Sequence, residues 1–161
     1  MSNLFVLQFD DVNTAMQVVD TMKRLQQQQL IKLDDAALVT KQPNGKLQVK
    51  QLHDLVGAGA LGGAFWGMLI GLLVFAPLLG AAIGAGAGAM AGKLSDYGID
   101  DNFIKKIGTS LQPGNASLFL MTSHGVADKV LPELKKYNFQ LIETSLSSQD
   151  EAKIREALGT K

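Results

Sequence analysis

From Leu55 to Gly92 the chain runs for 38 residues without one Asp, Glu, Lys or Arg, and eleven of those residues are glycine. A stretch like this has to be kept from water, by lipid or by other protein. Pro77 interrupts it once. Leu55–Ala76 is 22 residues long, and as a helix it would cover roughly 33 Å, enough for a ~30 Å hydrocarbon core. Pro77 suits the first turn of a following helix, where its missing N–H costs little. That second helix is expected to run from Leu78 to Tyr97, with Gly98 stopping it. The pattern therefore predicts a transmembrane helical hairpin over 55–97, built from 55–76 and 78–97, which returns the chain to the side it left.

The glycines are spaced regularly. Gly59, Gly63, Gly67 and Gly71 recur every four residues, and so do Gly80, Gly84, Gly88 and Gly92. A glycine inside a water-exposed helix costs roughly 1 kcal/mol relative to alanine, whereas in lipid a stripe of small residues lets two backbones approach closely. These eight glycines are the candidate helix-packing and oligomerisation site, and they imply a homo-oligomer. The alternative is a hairpin buried inside a soluble oligomer. Trp66 favours it slightly, because it falls mid-span and not in an interfacial belt.

The flanks have a different character. Residues 1–54 carry six Lys/Arg and six Asp/Glu, and residues 93–161 carry nine of each. Neither half has the basic excess that nucleic-acid binding requires, so the expected partners are the chain itself and a lipid bilayer. A small ligand of the flanking domain stays unknown. Lysines at 46, 50, 93, 105 and 106 point to a cytoplasmic face. The start, Met1-Ser2-Asn3-Leu4-Phe5-Val6, lacks a basic region and a long apolar core and does not read as a signal peptide. Cysteine is absent, which removes disulfides and thiolate chemistry.

Within the flanks, Asn3–Phe9 reads as a strand, and Asp10 or Asp11 can cap the helix after it. Ala15, Met16, Val18, Val19, Met22 and Leu25 share one helical face. Asp35–Lys41 and Lys46–Leu52 read as strands joined through Pro43-Asn44-Gly45, a hairpin signal. Past the middle, Phe103, Ile104 and Ile107 mark a short helix, Pro113-Gly114 a turn, and Ala116–Thr122 a strand. A helix through Val126–Tyr137 follows despite Pro132, then a strand over Phe139–Leu146. Ser148 and Glu151 suit a capping box for a last helix ending at Gly159. Two strand–helix–strand units separated by the middle segment predict an α+β fold. The expected form is a ferredoxin-like sandwich, with helices on one face of the sheet, split by an inserted transmembrane glycine-zipper hairpin. Residues 1–54 and 98–161 would be its two halves.

No catalytic constellation emerges. His53 and His124 lie on opposite sides of the middle segment, without metal-ligand spacing. Ser123-His124-Gly125 lacks the setting of a nucleophile elbow. Gly57-x-Gly59-x-x-Gly62 matches a dinucleotide fingerprint by letters only, since the strand before it and the downstream acid are missing. The acid pairs Asp10-Asp11, Asp34-Asp35 and Asp100-Asp101 read as caps. No enzyme activity, cofactor or metal is expected.

The glycine ladders are followed by Tyr97-Gly98-Ile99-Asp100-Asp101, Phe103-Ile104-Lys105, Gly108, Leu111, Pro113-Gly114 and Ser117-Leu118-Phe119-Leu120. In this block the chain resembles a family of bacterial membrane proteins catalogued as a domain of unknown function. The resemblance implies a bacterial membrane-associated protein and implies no activity; the expected location is the bacterial inner membrane. The functional expectation is an integral membrane homo-oligomer with a scaffolding, structural or sensing role, soluble domain and termini facing the cytoplasm. A hydrophobically gated pore is the alternative, and the absence of a charged or hydroxyl ring across Leu78–Gly92 counts against it.

Overall fold

A computed structural model describes residues 3–52, Trp66, Leu69, Gly71 and residues 101–159. The first strand, β1 (Asn3–Phe9), leads into α1 (Val12–Gln27), capped by Asp11, whose carboxylate accepts from the Thr14 amide at 2.7 Å. Next come β2 (Ile31–Lys41) and β3 (Leu47–Gln51). Gly45 makes the turn between them with φ +87°, and the Lys46 amide donates to the Asn44 side chain at 3.0 Å. After α2 (Asp101–Ser110) follow β4 (Ala116–Gly125), α3 (Ala127–Leu134), β5 (Gln140–Thr144) and α4 (Ser148–Leu158).

The five strands form one antiparallel sheet in the order β3-β2-β4-β1-β5. Its middle strand, β4, comes from the second flank and lies between β1 and β2 of the first. Phe119 sits opposite Val6 on one side and Ala37 on the other. Residues 116–121 of β4 are all buried, so the sheet is covered on both faces at this central strand, as the apolar run Leu118–Met121 requires.

One face carries Leu7, Leu38, Leu118 and Leu120, packed under Val18 and Met22 of α1 and Val130 and Leu134 of α3. The other carries Leu4, Val6, Val39 and Phe119 under Phe103 and Ile107 of α2, together with Trp66 and Leu69. Trp66 is 2% exposed and Leu69 0%. The indole meets the Phe119 ring edge to face, with centroids 6.1 Å apart at 88°.

These contacts correct the expected fold class. A ferredoxin-like sandwich with one helical layer, split by an inserted transmembrane glycine-zipper hairpin, placed Trp66 and Leu69 in lipid. Both instead bury their side chains on the second face of the sheet, which contributes about 1.5–3 kcal/mol for each large apolar group. The protein is α+β, with a five-stranded antiparallel sheet and the four helices α1–α4, whose bounds are described. None of the helices is long and apolar enough to cross a membrane. The longest of these four has 16 residues, about 24 Å against a core of about 30 Å. The remainder of the expected hairpin, 55–97, lies outside the described residues.

Several boundaries also move. β2 begins four residues before the expected Asp35, and β4 continues three residues past Thr122. Asp34 and Asp35 are therefore strand residues and not caps. The last helix is capped by Ser147, one residue before the expected Ser148, and the Ser147 hydroxyl accepts from the Asp150 amide at 3.3 Å. Gly159 closes that helix in the left-handed conformation, φ +72°.

Candidate functional site

Between the first face of the sheet and helices α3 and α4 lies a cavity of about 330 Å³. Strand periodicity provides its floor. Phe5, Leu7 and Leu120 point to the same face because side chains alternate along β1 and β4. Val130 and Leu134 of α3, with Leu158 of α4, form the roof. Those helices turn the same stripes inward because their apolar residues recur at three- and four-residue spacing. The volume is about twice that of the ~150 Å³ apolar cavity known to accept benzene.

The rim is polar. Asn3, Thr122, Ser123, His124 and Asp150 line it. Two irregularities in the β2–β4 pairing place the β4 part of that rim. Leu33 pairs with Thr122 while Lys32 pairs with His124, so Ser123 has no partner in register. Asp35 pairs with Met121, so Asp34 has none either. The Ser123 hydroxyl donates to the Asp34 carboxylate at 3.1 Å. The Thr122 hydroxyl lies 2.7 Å from the Lys32 carbonyl and 3.0 Å from that of His124, which commits its proton to the backbone. Asp150 accepts from the Ser147 hydroxyl at 2.9 Å and lies 3.6 Å from the Lys153 ammonium. Irregular pairing of this kind re-aims side chains beside binding sites.

Of the glycines singled out from the sequence, Gly59, Gly63, Gly67, Gly80, Gly84, Gly88 and Gly92 lie outside the described residues. Gly71 is helical and half-buried, and a Cβ added there meets no heavy atom within 4 Å among the described residues. His53 also lies outside them, while His124 is exposed on the cavity rim. The cavity was not anticipated from the sequence. Its one sequence signal is the polar run Thr122-Ser123-His124-Gly125, which continues a strand and opens onto the small Ala127 at the start of α3.

No curated protein and no solved structure matches the chain. Residues 60–159, well over half of the chain, match the model of a family described as protein of unknown function (DUF1269), and the chain belongs to that family.

Proposed function

We propose that the protein is a homo-oligomeric sensing module, whose α+β domain admits a small apolar ligand and whose glycine-rich segment joins copies of the chain. The cavity of about 330 Å³ carries this reading. Its size falls within the range of small-molecule sites, roughly 300–1,000 Å³, and it combines an apolar body with a few convergent polar groups, as such sites do. Sensing is favoured over a purely structural role because α3 and α4 roof the cavity, so that occupancy bears directly on how those helices pack.

The assembly half of the proposal rests on the sequence. Two four-glycine ladders within 38 uncharged residues offer flat surfaces for close backbone approach. Attachment to the cytoplasmic face of a bacterial inner membrane belongs to the same proposal, supported by the uncharged run and its flanking lysines.

Two measurements test it on the full chain. n-Octane, which has no polar group, is expected to raise the thermal midpoint in a saturable manner. A midpoint unchanged by octane and by 1-octanol, each up to its solubility limit, would remove the sensing role. Replacing Gly84 and Gly88 with leucine is expected to dissociate the oligomer in mild detergent, and an unchanged assembly mass would remove the glycine-mediated part.

A further inference from the structure

The geometry points to a neutral single-chain amphiphile as the occupant of the cavity, with its chain between the sheet and the roof helices and an uncharged hydroxyl or carbonyl head at the rim. This inference rests on the sensing reading above and specifies its ligand class.

The body follows from the lining. Leu7, Leu120, Val130, Leu134, Leu141 and Leu158 surround a space about twice that needed for benzene, so a chain of more than six carbons fits. The head follows from the charges. Among the described residues no lysine or arginine lines the cavity, and its one acid is Asp150. A carboxylate or phosphate head at the rim would meet no lysine or arginine among the lining residues and would face that acid. An ammonium head gains little from Asp150, whose two oxygens already hold the Ser147 hydroxyl and the Lys153 ammonium. What remains is Asn3, whose amide both donates and accepts, and the His124 imidazole. A neutral hydroxyl or carbonyl can use both without repulsion from Asp150.

The test is a head-group series at constant chain length, using 1-octanol, octanoate and octylamine with the full-length protein at pH 8. Binding is read by displacement of a neutral fluorescent alkyl probe. The alcohol is expected to bind at least tenfold more tightly than either ion. Ala127→Trp, which places a large ring at the mouth, is expected to abolish displacement. Leu131→Trp serves the same purpose should the first variant fold poorly. Asp150→Asn is expected to narrow the gap between octanol and octanoate. Octanoate or octylamine binding as tightly as octanol would overturn the assignment while leaving the cavity a binding site. Octanol binding unaffected by either tryptophan would overturn it as well, by placing the ligand elsewhere on the chain. Binding of neither octane nor octanol would refute the sensing reading itself.

Discussion

Ser123 and Asp34, the two residues that drop out of register between β2 and β4, are hydrogen-bonded to each other at 3.1 Å. Each strand gives up one residue, and the pairing resumes on either side, with Lys32 opposite His124 and Asp35 opposite Met121. The paired irregularity lets β4 keep its partner as far as Gly125 while changing which side chains reach the cavity rim. It also ties the rim to the neighbouring strand.

That relationship can be tested directly. Ser123→Ala removes one exposed hydrogen bond, so the stability loss is expected to be about 1 kcal/mol or less. Local opening should change more than global stability, since weakly held segments open on their own. Amide hydrogen exchange at residues 122–125 is expected to accelerate, with β1 unaffected. Equal acceleration throughout the sheet would show that the pair holds more than the rim.

A second prediction concerns the edge strand β5. The Arg155 guanidinium donates through Nη1 to the Leu141 carbonyl at 2.7 Å and through Nε to Glu151 at 2.7 Å. This places a charged, forked side chain of α4 against the backbone of an edge strand, a position where unpaired groups invite pairing with another chain. Arg155→Ala is expected to cost about 1.5–3 kcal/mol, the range for hydrogen bonds to charged groups. It should also promote strand-mediated aggregation on mild heating. Arg155→Lys keeps the charge but not the fork, and is expected to fall between the two in thermal midpoint and light scattering.

Much of this frame was legible in the residues themselves. Asn3–Phe9, the apolar face of α1, the Asn44-Gly45 turn and the stop at Gly159 all follow from short-range rules, because periodicity, turn chemistry and capping act within a few residues. What was missed depends on tertiary contact. Ser147 and Ser148 are equivalent caps by composition, and only the entry angle of the chain selects Ser147. Residues 122–125 are too polar to announce a strand, and they form one because β2 begins early enough to pair with them. The uncharged middle segment was misread at Trp66 and Leu69 for a similar reason. An apolar side chain bound for a sheet face and one bound for lipid look the same in sequence, and the deciding fact is that the second face of the sheet needs a cover. The cavity is invisible for the same reason, since it arises from the fit of the roof helices on one face of the sheet and no residue type marks it.

A third prediction is a pH dependence. Hydrogen bonding from Lys136 at 3.0 Å, and then from Arg24 at 2.9 Å, holds the Glu133 carboxyl below its ordinary value. The Arg24 contact joins α1 to α3. With the folded value depressed, the stabilising contribution is fully present above the unfolded pKa, roughly 4.3. It is lost as the pH falls through the lower folded value. Glu133→Gln is therefore expected to lower the thermal midpoint slightly at pH 7, and the gap to the parent should close as the pH drops below about 4. The pair is exposed, so the whole effect should shrink in high salt. A gap that persists at low pH would mean that the glutamine disturbs packing and not charge.

The last prediction uses the chain's single tryptophan. Trp66 is 2% exposed and packs edge to face on Phe119 at the centre of the sheet, so its emission reports on whether the middle segment is docked on the second face. Blue-shifted emission with little quenching by iodide is expected from the folded protein in the absence of any lipid or detergent. Lipid burial would give a similar colour, so the decisive comparison is with unfolding. Under denaturant the Trp66 shift and the far-ultraviolet signal of the sheet are expected to move together, because the indole is part of the sheet's own core. Trp66→Ala should cost about 3–5 kcal/mol, the usual range for a large buried aromatic. A tryptophan transition separated from that of the sheet, or an alanine variant of unchanged stability, would detach the middle segment from the domain.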